Sequence, residues 1–84
     1  MVEQQILLTN LQDVQRFIAL TDPVHLNVLL QSGNAIISAK SFLGVLSTPM
    51  GEPSKVLIEC TQEEAASYID SIKEFHYNNL EEGN

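Results

Sequence analysis

Residues 24–39 read Val24-His25-Leu26-Asn27-Val28-Leu29-Leu30-Gln31-Ser32-Gly33-Asn34-Ala35-Ile36-Ile37-Ser38-Ala39. Val24, Leu26, Val28 and Leu30 alternate with His25, Asn27, Leu29 and Gln31, the period-two pattern of a strand with one apolar face. Ser32-Gly33-Asn34 supplies turn residues, with Gly33 free to take a positive φ, and Ala35 to Ala39 returns as a further strand. Two strands joined this tightly pair antiparallel. An antiparallel sheet of this kind buries one face and needs helices to cover it.

Working outward, the same grammar yields the rest. Upstream, Val2 to Thr9 carries Ile6, Leu7 and Leu8 in a row and reads as a strand. Asn10 is a good helix N-cap, and Leu11, Val14, Phe17, Ile18 and Thr21 then recur at helical spacing, ending before Pro23. Downstream, Ser41 can cap a short helix over Phe42, Leu43, Gly44, Val45 and Leu46, which must end by Pro49. Lys55 to Cys60 alternates as a fourth strand, with Val56, Ile58 and Cys60 inward. Thr61 and Glu64 form a capping box for a last helix through Ala65, Ile69, Ile72, Phe75 and His76 to about Tyr77. Residues 78–84 read as a frayed tail. The order strand-helix-strand-strand-helix-strand-helix, without repeat or linker, predicts an α+β open-faced sandwich: one four-stranded antiparallel sheet with helices on one face.

The 84 residues suit a single domain, 1–84, and the 44% apolar content suits a folded one. Eleven acidic residues face only four basic ones, Arg16, Lys40, Lys55 and Lys73, for a net charge of −7. Nucleic-acid binding, which needs clustered cations to release counterions, is excluded on that balance. A lone Cys60 cannot form an internal disulfide, and it has no zinc-site spacing to His25 or His76. No cofactor or metal is expected. No stretch has the pattern of a signal peptide or the length of a membrane span, so a cytoplasmic protein is the expectation.

From Val28 onward the order and residues resemble HPr, the small phosphocarrier of the bacterial phosphoenolpyruvate-dependent sugar phosphotransferase system. The most specific part is Ala39-Lys40-Ser41-Phe42-Leu43-Gly44-Val45-Leu46-Ser47, which is similar to the family's segment around its regulatory serine. The resemblance implies the HPr-like open-faced sandwich, Ser41 as a regulatory phosphorylation candidate, and Lys40, Phe42, Leu43 and Leu46 as a partner-binding surface. It stops where the family keeps its carrier histidine, in a Gly-x-His-x-Arg-Pro sequence between the first strand and the first helix. Thr9-Asn10-Leu11-Gln12-Asp13 fills that place with none of the motif residues, and the connection is shorter. A phosphorylated imidazole needs a nucleophilic ring, a free helix N-terminus and a nearby cation, whereas Asp13 brings a negative charge. The resemblance therefore implies a non-catalytic module that binds proteins of the sugar phosphotransferase or carbon-regulation system. The alternatives are a phosphocarrier using another histidine, or a structural domain unrelated to sugar transport.

The remaining residues have plainer readings. Adjacent helical positions differ by about 100°, so Phe42, Leu43, Val45 and Leu46 cannot all turn inward; Val45 is the expected core member. His25 falls on the outward register of its strand. His76 sits in the last helical turn, where an imidazolium favourably meets the negative helix end. Arg16 is placed to pair with Asp13 along the first helix. Cys60 is expected to be a small buried hydrophobe.

Overall fold

The structure is a computed structural model, and residues 1–77 are described; the expected frayed tail, 78–84, lies outside them. In chain order the elements are β1 (Val2–Leu7), α1 (Leu11–Thr21), β2 (Val28–Ser32), β3 (Ala35–Ser38), α2 (Phe42–Leu46), β4 (Pro53–Ile58) and α3 (Gln62–Ser71), followed by a 3₁₀ turn at Lys73–Phe75. The strands form one antiparallel sheet in the order β1-β4-β2-β3. The expected α+β open-faced sandwich is what forms. Gly33 turns the β2–β3 hairpin with φ +59°, and among the described residues no non-glycine has a positive φ, which matches a II′ turn with glycine at its first central position.

Register explains the core. Ile58 lies opposite Val2 on one side and Val28 on the other, and Val56 lies between Gln4 and Leu30. With Ile6, the apolar members of these pairs, Val2, Val28, Leu30, Val56 and Ile58, form a sheet face that is buried under the helices. α1 covers it with Val14 and Phe17, α2 with Val45, and α3 with Ala65 and Tyr68. Ile72 and Phe75 follow, and the Phe75 ring meets that of Phe17 edge-on, with centroids 6.1 Å apart at 80°. Leu57 was expected outward and does lie on the open face. It is nevertheless buried, because β4 has a neighbour on each side, Glu3 and Leu29 flanking it in register.

Several boundaries differ from the sequence reading. β2 starts at Val28 rather than Val24, because its partner β4 ends at Ile58, opposite Val28. Residues 24–27 therefore have almost no ladder to join; one bond, Glu59 N–H to the Asn27 carbonyl at 3.1 Å, extends past it. β4 runs from Pro53 to Ile58 rather than from Lys55 to Cys60, since the Cys60 N–H folds back onto the Ile58 carbonyl at 3.0 Å. β1 stops at Leu7, although Leu8 beyond it is still buried. The last helix ends at Ser71, and the 3₁₀ turn that follows brings Phe75 inward and returns the chain to β1. There His76 bridges Ile6, and the Tyr77 N–H donates to the Gln5 carbonyl at 3.0 Å.

One buried polar contact joins α1 to α3: the Thr21 and Tyr68 hydroxyls lie 2.6 Å apart, and either can donate. Burial pushes the Tyr68 phenol up to about 12. Tyr68→Phe leaves the Thr21 hydroxyl without this partner and should cost about 1–2 kcal/mol in urea denaturation. Combining it with Thr21→Val should cost less than the sum of the two single changes, because the second change removes the stranded group.

Candidate protein-binding site

α2 is a five-residue helix held at both ends by hydroxyl groups. Ser41 is its N-cap, in an extended conformation, and its Oγ accepts the Gly44 N–H at 3.1 Å. At the other end the Ser47 hydroxyl donates to the Gly44 carbonyl at 2.6 Å and the Thr48 hydroxyl to the Val45 carbonyl at 2.7 Å. Gly44 is needed for a close approach, since a Cβ there would stand 3.1 Å from Ser41 Oγ and 3.4 Å from Ile37 Cδ1. Val45 takes the single core position, fully buried. Leu43 is left 75% exposed and Phe42 37% exposed, while Leu46 is half-buried and packs against the core. Ser41 itself is exposed.

The loop after α2 is pinned to the residue that follows β1, because Gly51, with φ +82°, donates its N–H to the Leu8 carbonyl at 2.8 Å. It carries a further exposed apolar side chain, Met50, which the sequence reading missed. α1 packs against α2, and Leu11, the first residue of α1, is exposed although its spacing suggested the inner face. Its position in the first turn sets it beyond the region that the sheet covers.

Lys40 is half-buried, and its ammonium donates to the Val24 carbonyl, tying the start of α2 to the irregular 24–27 segment. The other three cations are paired elsewhere. Arg16 does not bind Asp13; its Nη2 lies 2.7 Å from the Glu74 carboxylate, across from α1 to the 3₁₀ turn. Lys55 lies 3.4 Å from Glu3 on the neighbouring strand, and Lys73 lies 3.6 Å from Asp70.

The β1–α1 connection has a structure of its own. Asn10 caps α1, its Oδ1 accepting the Asp13 N–H at 2.9 Å. The Asp13 carboxylate reaches back to accept the Thr9 N–H at 2.9 Å and the Thr9 hydroxyl at 2.8 Å. The two Thr9 bonds, aided by Arg16 through space, hold the Asp13 carboxyl below the usual carboxylate range. A negative charge thus stands at the positive end of α1, where it is stabilising and where a second anion would meet repulsion.

Neither histidine lies where the sequence reading put it. His25 is exposed in the 24–27 segment, on the rim of an apolar groove of about 360 Å³ formed with Leu20, Val24, Leu26 and Tyr68. His76 lies beyond the helix end, and its ring is hydrogen-bonded to the Gln4 side chain. Cys60 is half-buried rather than part of the core; its thiol donates to the Thr61 carbonyl at 3.2 Å, and desolvation with the nearby Glu64 carboxylate pushes its pKa up. Among the described residues, no three His, Cys, Asp or Glu side chains gather as metal ligands, and no helix is long and apolar enough to cross a membrane.

Solved structures share this architecture. HPr-C-His from Thermoanaerobacter tengcongensis matches with a TM-score of 0.66 at 22% identity, covering 87% of this chain and 92% of that one. The phosphocarrier protein HPr from Bacillus anthracis str. Ames matches with a TM-score of 0.69 at 13% identity, covering 90% and 96%. The chain has the fold of HPr. Neither a family model nor a curated protein matches the sequence. In the HPr-like frame, Phe42 and Leu43 on α2 and Leu11 at the start of α1 are among the exposed apolar residues, and Asp13 stands at the α1 N-terminus.

Asp13 has a folded pKa below its unfolded one, so its contribution to stability is complete above about pH 4, the unfolded carboxylate value, and is lost as pH falls through the folded value. In urea denaturation across the acid range, Asp13→Asn should therefore be less stable than the parent at neutral pH. The difference should shrink below about pH 4. Carboxyl chemical shifts should place the Asp13 titration below the ordinary aspartate range.

Proposed function

We propose that this HPr-like chain is a non-catalytic, regulatory or protein-binding module related to the sugar phosphotransferase system. The observation that carries the reading is the joint presence of an exposed apolar α2 and an α1 N-terminus already occupied by the Asp13 carboxylate. The docking surface is Phe42, Leu43 and Leu46, flanked by Lys40, and the partners are proteins of the sugar phosphotransferase or carbon-regulation system. Exposed Phe and Leu side chains in a charge-poor patch are what a protein partner desolvates most profitably. A phosphoryl carrier, by contrast, needs a nucleophile beside a free helix N-terminus and a cation. His25 lines the groove beside Tyr68, the His76 ring is hydrogen-bonded to the Gln4 side chain, and each of the four cations is engaged in a contact of its own.

Ser41 is the switch in this reading. Its exposed hydroxyl makes one contact with its own helix, to the Gly44 N–H, which a phosphate oxygen can take over. Phosphorylation would add roughly two negative charges beside Phe42, in a patch that has none, and so reset which partner surface fits.

Incubation with HPr kinase and ATP should label Ser41 and leave Ser41→Ala unlabelled. Phe42→Glu should abolish capture of phosphotransferase-system proteins in pull-downs while leaving the circular dichroism spectrum unchanged. Incubation with enzyme I and phosphoenolpyruvate should leave no acid-labile phosphate. A labelled His25 or His76 would overturn the proposal in favour of a carrier.

A further inference from the structure

The two edges of the sheet are treated differently. On the β1 edge, Ile6 bridges His76 and the Gln5 carbonyl accepts the Tyr77 N–H, so part of that edge is covered by the chain itself. β3 forms the opposite edge, and its sequence Ala35-Ile36-Ile37-Ser38 has no charge and no proline. These are the residue types with which natural proteins usually blunt a strand edge. The backbone direction follows from the register. The Ala39 N–H donates to the Val28 carbonyl, so the facing pairs Leu30–Ile37 and Ser32–Ala35 also exchange bonds, and Ile36 and Ser38 turn their backbone groups outward. Of those groups, the Ser38 carbonyl accepts the Ser41 N–H at 3.1 Å and keeps a second lone pair. The Ile36 side chain, on the open face, is 57% exposed.

Charge selects the occupant. The net charge is −7, yet all eleven acidic residues lie outside 23–51, the stretch that contains β3 and α2. Two copies of this chain repel one another through most of their surface and least where β3 meets β3. A strongly basic partner would instead be drawn to the acidic remainder. We propose that β3 is a self-association edge, on which a second copy adds its own β3 antiparallel about a two-fold axis, extending the sheet across the dimer. With Ile36 opposite the partner copy's Ser38, the outward-facing groups satisfy one another in symmetric pairs. A strand of four residues buries far less than a standard interface, so the dimer is weak, with a Kd of roughly 0.1–1 mM.

Sedimentation equilibrium on the full chain, from about 10 μM to about 1 mM, tests this directly. A monomer–dimer equilibrium should appear and should tighten as added salt screens the repulsion between copies. Ile36→Lys, at an exposed position, should hold the chain monomeric with an unchanged circular dichroism spectrum. As an independent readout, amide exchange at Ile36 and Ser38 should slow with rising concentration, while that of Ala35 and Ile37, already bonded to β2, should not. A chain that stays monomeric at the highest concentration, or a dimer that survives Ile36→Lys without protection at Ile36 and Ser38, would overturn the proposal.

Discussion

β4 is the last strand among the described residues and lies second in the sheet, between β1 and β2, which do not pair with each other. Until it inserts, the protein is a hairpin and a strand-helix unit with no shared ladder. Once it is in place, Ile58 and Val56 meet Val2, Gln4, Val28 and Leu30 on the face beneath the helices, and Phe17 and Ile72 join the same core. Such non-local closure is slow to form, because the loop entropy is lost before the contacts reward it. It also determines the position of α2. The chain from Ser47 to Glu52 must return to the head of β4, and the Gly51 N–H on the Leu8 carbonyl fastens that return to the end of β1 at the residue just beyond it. The exposed residues of α2 therefore stand on a platform set by the central strand.

Electrostatics on this molecule matter locally more than in sum. Exposed ion pairs such as Arg16–Glu74 and Lys55–Glu3 each contribute on the order of 0–1 kcal/mol, too little to define a fold. Their effect on chemistry is larger. They commit the cations of a strongly acidic chain to positions along the sheet edge and the C-terminal turn. The start of α1 is then governed by Asp13, whose carboxylate accepts both Thr9 donors. A helix N-terminus attracts anions through its unpaired N–H groups and its dipole, and a fixed carboxylate at that end opposes a second anion through the same field.

What was legible in the sequence was local. The Asn10, Ser41 and Thr61 caps, the Gly33 turn and the single inward position at Val45 each depend on residues within four places of one another, and each forms as read. What was not legible depended on partners far along the chain. Val24 and Leu26 alternate like strand residues, but a strand needs a ladder, and β4 ends before reaching them. Arg16 is three residues from Asp13, yet Glu74 lies 58 residues away in sequence and 2.7 Å away in space. The Lys40 ammonium on the Val24 carbonyl and the Thr21–Tyr68 hydroxyl pair are likewise products of tertiary packing, with no short-range signal to mark them. The HPr-like architecture was readable because it is written in caps, turns and alternation. The state of each candidate side chain was not, because it is decided by what arrives from elsewhere.

The exposure of α2 follows from geometry rather than from a shortage of core. A helix of five residues has one position that faces the sheet squarely, and Val45 fills it completely. Gly44 is confined by its closeness to Ser41 and Ile37, so the helix cannot roll to bury Leu43 without breaking that contact. A polar residue at position 43 would therefore remove little from the core and would reduce exposed apolar area, which carries an association cost in solution. Leucine at that position adds nothing to the fold that a polar residue would lack. Its apolar character matters only against a surface that covers it, which is the physical basis of the docking role proposed for α2.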